Sequence, residues 1–189
     1  MFKIENYERK EEGASVSAER LSKIRQLIAD LRNIDGAVRR EAREALAFIG
    51  KPAVGLLVPL LKDPDDDVRW EAAKALAEIA DPRAASGLVD LLMDHNFGVR
   101  WLAAEALIPI GRHVLEPLLE KLIEHPESSW LRGGTLHVLH NLDISPDLRE
   151  VVGPVITALE GFEPEIGCLE PAYTALDKLK GSINDLLLI

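Results

Sequence analysis

Residues Asp65 to Ala80 read DDDVRWEAAKALAEIA, and this stretch decides the fold. Wound at about 100° per residue, it puts Val68, Ala72, Ala75, Leu76 and Ile79 on one apolar face. Trp70, Lys74, Ala77 and Glu78 lie on the opposite face, with Arg69 at the border. Asp65 stands where a carboxylate can accept from the free N–H groups of a first helical turn. The pattern returns upstream at Asp35 to Ile49 (DGAVRREAREALAFI) and downstream at Asn96 to Ile110 (NFGVRWLAAEALIPI). It returns more loosely at Ser128 to Leu142 (SSWLRGGTLHVLHNL). The branched signature residues Val38, Val68, Val99 and Leu131 are 30, 31 and 32 positions apart.

Between these capped helices, here called B, lie second helices, called A, each opened by a turn. Gly50-Lys51-Pro52, Asp81-Pro82, Gly111 and Ser145-Pro146 supply the openings. Proline suits the first helical position, where its missing N–H has no partner to lose. Two helices repeated every thirty-odd residues imply an all-α, right-handed solenoid of about five helical hairpins. The units are expected near 17–49, 50–80, 81–110, 111–142 and 143–180, after a charged, partly ordered tail at 1–16 and before a capping helix at 181–189. Ser17 is the expected cap of the first helix. In the fifth unit, Pro146 to Glu160 is expected as helix A, and Cys168 to Leu176 as a degenerate helix B with Leu169 in the signature arginine's place. Pro59 falls inside a helix A and predicts a bend there. Pro117 and Pro154 are expected nearer helix starts. The apolar C-terminus either folds back over the fifth unit or leaves a sticky end.

The bulk composition narrows the function. The chain has 189 residues, 47% hydrophobic and 5% aromatic, with a formal net charge of −10. That charge argues against a nucleic-acid partner, whose phosphates need cationic neutralisation. The lone Cys168 excludes an internal disulfide framework and agrees with a reducing cytoplasm. No apolar run approaches a membrane span, and Met1 to Glu12 lacks the core of a signal peptide.

The motif D-x-x-V-R-x-x-A-x-x-A-L, followed by Ile-Gly or Ile-Ala-Asp-Pro and a leucine-rich helix, resembles HEAT repeats, most closely the short phycobilisome-lyase-like subtype. The resemblance covers about residues 18 to 180. It implies ladders between stacked repeats built from Asp35, Asp65 and Asn96 with Arg39, Arg69, Arg100 and Arg132. It also implies binding on a concave surface lined by B helices. The implied activity is that of a protein-binding scaffold without cofactor or metal, or else of a lyase or chaperone subunit handling a tetrapyrrole or its carrier protein.

Helical spacing then picks the exposed B-helix stripe: the residue after each signature arginine, with those four and seven positions on. These are Arg40, Glu44 and Ala47; Trp70, Lys74 and Ala77; Trp101, Glu105 and Ile108; Gly133, His137 and His140. Tryptophans at equivalent positions either stack or shield the arginines, or form an aromatic platform for a ligand. Leu102 replaces Glu71 and makes the third unit the most apolar on that face. Gly133-Gly134 either opens a pocket beside Trp101 or marks a short fourth B helix whose space Trp130 fills. His137 and His140 share a helix face near Glu105, the one arrangement that invites a metal. The expected partner surface is Trp70, Trp101, Leu102 and Gly133, rimmed by Arg40, Glu44, Lys74, Glu105 and His137. No catalytic residue is expected. Cys168 near Glu170 is a poor nucleophile, since a carboxylate raises a thiol pKa.

Overall fold

A computed structural model describes the backbone of residues 18–186 and side chains from 18 to 181. The tail 1–16, Ser17 and the last three residues lie outside it. Within the described residues the chain is an all-α solenoid without strands. Helix α1 covers 18–30. The B helices follow as α2 (Gly36–Ile49), α4 (Asp66–Ile79), α6 (Phe97–Leu107) and α8 (Ser129–Asn141). The A helices between them are α3 (Lys51–Leu57), α5 (Ala85–Asp90) and α7 (Leu115–Glu124). Helices α9 (Pro146–Leu159), α10 (Pro164–Gly167) and α11 (Leu169–Leu186) complete the chain.

The B helices form one row, with α4 packed between α2 and α6, and α6 packed against α8. Small residues on B faces let leucines of the A helices reach the seam. Ala72, Ala75, Leu76, Ala103 and Ala106 are fully buried, as are Leu57, Leu88 and Leu118. Burying each such leucine contributes about 1.5–3 kcal/mol, which drives the stacking. Pro59 does not kink an α-helix. The backbone tightens instead into a 3₁₀ segment, Val58–Lys62, which needs no donor at that position. Pro154, expected near a helix start, lies well inside α9.

The loops before the B helices obey one rule. Asp35, Asp65, Asn96 and Ser128 each accept from a backbone N–H in the first turn of the helix they cap. Two residues earlier, Asn33, Asp63 and Asp94 accept from the N–H of those cap residues at 2.8–3.0 Å. The signature arginine then folds back over the loop. Nη1 of Arg69 donates to the carbonyls of Asp63 (2.8 Å) and Pro64 (3.1 Å), and Arg39 and Arg100 repeat the geometry on their own loops. Arg132 holds the Pro126 carbonyl in the same way.

Of the expected ladder residues Asn96 does reach across, its side-chain amide donating to Asp66 of α4, but the acids of the rungs differ from those expected. Asp35 and Asp65 cap their own helices, whereas Arg69 clasps Asp94 of the next repeat through two bonds of 2.7 and 3.0 Å. Arg32 likewise grips Asp63. Both acids stand five residues before a signature valine, as LLKDPDDDV and LLMDHNFGV show.

The fifth unit departs furthest. Helix α9 packs on α8, and α11 packs on α7 and α9. Lys180 of α11 bonds Glu120 of α7 at 2.8 Å. Thus α11 continues the A row, and α9 follows α8 directly after a short loop. The local sequence explains this: Ser145-Pro146-Asp147-Leu148-Arg149 is itself a B-helix opening. Ser145 caps the Leu148 N–H, and Arg149 holds the carbonyls of Leu139 and Leu142. Nor does a separate helix begin at Gly181, because α11 runs unbroken to Leu186.

The turn into the third unit carries a pH-sensitive contact. Arg83 beside Asp81 bonds its carboxylate at 2.8 and 3.0 Å and holds the pKa down to about 2 from the ordinary 3.8. A carboxylate depressed in the folded state stabilises above the unfolded pKa, and that contribution is lost as pH falls through about 4 toward 2. Asp81→Asn should therefore lower the urea midpoint more near pH 5 than near pH 2. An equal loss at both would contradict the assignment.

Candidate functional site: a cleft between the third and fourth B helices

Caps and arginine forks fix where the B helices start, and so which side chains line the space between them. On α6, Asn96 caps the first turn, so Phe97, Trp101 and Ala104 follow along one side. On α8, capped by Ser128, Trp130, Gly133 and His137 face them. Together with Leu92, Arg100, Ser129 and Gly134 these residues line a cleft of about 250 Å³ with mostly apolar walls.

The two glycines have different jobs. A Cβ at Gly133 would meet nothing within 4 Å, so its missing side chain leaves open space. A Cβ at Gly134 would come within 2.9 Å of Leu92 Cδ2, so glycine lets α8 approach the turn that supplies the cleft floor. Helix α8 runs its full 13 residues, so the glycine pair does not shorten it. Trp130 does not fill the gap. Its ring lies 4.1 Å from the Arg100 guanidinium carbon and remains 51% exposed.

The rim is polar. His137 Nε2 lies 2.7 Å from Glu105 Oε1, and its ring stands 4.9 Å from that of Trp101 at a 47° tilt. Trp101 itself is 52% exposed and Phe97 70%. Such rings in water gain nothing from their position unless something covers them.

The expected site residues divide. Trp101, Gly133, Glu105 and His137 come together at this cleft. Trp70 does not join them: it is half-buried, and Arg43 stands 5.8 Å from its ring, inside a cluster where Arg43 also pairs with Glu71 at 2.9 Å. Trp70 and Trp101 do not stack on one another; the ring beside Trp101 is His137. Leu102, expected as exposed, is buried. It occupies the register of the buried Glu71, three residues past the signature valine, a position turned toward the neighbouring repeat rather than to water. Arg40 and Glu44 pair with each other on α2 at 3.9 Å, two B helices away, and Lys74 is half-buried on α4. Phe97, Trp130 and Leu92 were missed. The first two fall just before the signature arginine's position, outside the stripe that spacing selected.

The histidines do not converge. His140 Nε2 lies 2.9 Å from Glu160 Oε1, separate from the His137–Glu105 pair. Among the described residues no three His, Cys, Asp or Glu side chains are grouped to hold a metal. Cys168 is buried, and that burial pushes its thiol pKa up, which disfavours the thiolate. Among the described residues no helix is long and apolar enough to cross a membrane.

A model of HEAT repeats matches residues 24–108 and, in a second register, 56–140, together more than half of the chain. No curated protein matches the sequence. Among solved structures, a similar one is an engineered protein, 24% identical over 80% of this chain and 77% of its own, with a TM-score of 0.47. Another is a designed armadillo repeat protein in complex with the peptide (KR)4, 22% identical over 79% of this chain and 80% of its own, with a TM-score of 0.44.

Proposed function

Because the chain belongs to the HEAT-repeat family, we propose that it is a non-enzymatic protein-interaction scaffold that seats an apolar side chain of its partner in the cleft between α6 and α8. One observation carries this reading: Phe97, Trp101 and Trp130, three large rings left over half exposed, surround a space that Gly133 keeps empty. Hot spots are typically aromatic anchors and pockets ringed by polar groups. Glu105 and His137 supply that ring here. Arg40, Glu44 and Lys74 extend the same B-helix face and orient a longer partner through charge.

Two substitutions test the reading against capture of partners from source lysate. Trp101→Ala should weaken binding by about 1 kcal/mol or more without loss of helicity, since the ring is not part of the core. Gly133→Leu should raise helix stability by up to about 1 kcal/mol, because glycine is costly inside a helix, while filling the cleft. A variant that is more stable yet fails to bind separates recognition from folding. Unchanged binding in both variants would move the site elsewhere. A subunit that handles a tetrapyrrole would instead show a specific absorbance shift on titration with a bilin, and the scaffold reading expects none.

A further inference from the structure

On the four B helices α2, α4, α6 and α8 the signature arginines are met by carboxylates at every position but the cleft's. Arg39 reaches Asp67 at 3.2 Å and Glu71 at 3.6 Å, Arg69 reaches Asp94 at 2.7 Å, and Arg132 reaches Glu165 at 3.6 Å. Arg100 holds the carbonyls of Asp94 and His95 through Nη1 and lies over two rings, Trp130 at 4.1 Å and Phe97 at 5.7 Å. Among the described residues it has no carboxylate within 4.0 Å. The register says why. The acid that receives Arg69 stands five residues before Val99, and the residue five before Leu131 is Pro126, whose side chain accepts nothing. The rung is missing at the one arginine that lines the cleft.

We propose that the cleft recognises a peptide segment in which an Asp or Glu adjoins a large apolar side chain. The apolar group enters beside Gly133, and the carboxylate pairs with Arg100, taking the place of the acid that Pro126 displaces. The inference rests on reading the cleft as a protein-binding site and specifies its ligand. A guanidinium laid against aromatic rings at an apolar edge is poorly hydrated, so a charge-assisted bond to it is worth more than one in open water. The net charge of −10 opposes an acidic partner only at long range. At physiological salt that field is screened within about 8 Å, so contact chemistry decides affinity while the on-rate goes unassisted.

The test uses the whole chain and three peptides in isothermal titration: acetyl-Gly-Ser-Asp-Phe-Gly-Ser-amide, the same with Asn for Asp, and the same with Ala for Phe. The Asp-Phe peptide is expected to bind about tenfold more tightly than the Asn-Phe peptide. Pro126→Asp, which restores the rung from within the chain, should bring that ratio near one and leave the Asn-Phe affinity unchanged. Pro126→Asn, similar in shape but uncharged, should keep the ratio. Equal binding of the Asp and Asn peptides by the unaltered protein, or an undiminished ratio in Pro126→Asp, would overturn the inference. Binding that needs both Phe and Trp101 but ignores the acid would overturn it while leaving the scaffold reading intact. Binding indifferent to Phe and to Trp101→Ala would remove both.

Discussion

Replacing Arg69 with alanine is expected to lower the free energy of unfolding by about 3–5 kcal/mol. The side chain is 6% exposed and is the most heavily engaged of the signature arginines. It donates to the carbonyls of Asp63 and Pro64 in its own loop and clasps both oxygens of Asp94 in the next repeat. Its removal takes from the Asp94 carboxylate, itself 6% exposed, its one arginine, leaving the Asn96 N–H and the His95 ring at 3.6 Å. An unpaired buried charge costs far more than the net value of the pair that held it. Arg40→Ala provides the contrast. Arg40 is adjacent in register but 63% exposed and paired only with Glu44, so its loss should stay within about 0.5 kcal/mol. Urea unfolding followed by circular dichroism measures both. Comparable losses in the two variants would refute the rung assigned to Arg69.

Leu76→Ala should cost about 2–5 kcal/mol. Leu76 is fully buried on α4, the helix packed between α2, α6 and the A helix α3. Few neighbours can shift to close the space, because each is fixed by the repeat beyond it. In a stacked array stability is a sum of nearest-neighbour interfaces, so a defect in an interior unit weakens two of them at once. Leu76→Met, which keeps the volume, should cost less than about 1.5 kcal/mol. If alanine and methionine behaved alike, packing at this seam would not be what holds the repeats together.

Much of the solenoid was legible because its signals are local. The spacing of Val38, Val68, Val99 and Leu131 and the caps Asp35, Asp65, Asn96 and Ser128 each depend on a single turn of chain. What was misread depends on the neighbouring repeat. Asp63 and Asp94 become rungs only when stacking brings the previous arginine onto them. Leu148-Arg149 was hidden for a related reason. It opens a B helix only 17 residues after Leu131, and a period near 31 directs attention past it. At the cleft, the open space beside Gly133 followed from helical register alone. The separation of Trp70 from Trp101 did not, since equivalent positions differ in exposure once Arg43 and Glu71 build an ionic cluster around one of them. Leu102 lies on an arc that its own helix leaves open and that stacking buries, as it buries Glu71 in the same register against Arg39 and Arg43 of the preceding B helix.

The site itself can be tested with the chain's own reporters. The sequence holds three tryptophans, so indole ¹⁵N–¹H spectra give one resonance for each of Trp70, Trp101 and Trp130. Titration with the Asp-Phe peptide should shift Trp101 and Trp130 together, with one affinity, and leave Trp70 in place. A shift confined to Trp70, or none at either ring of the cleft at saturating peptide, would contradict the account.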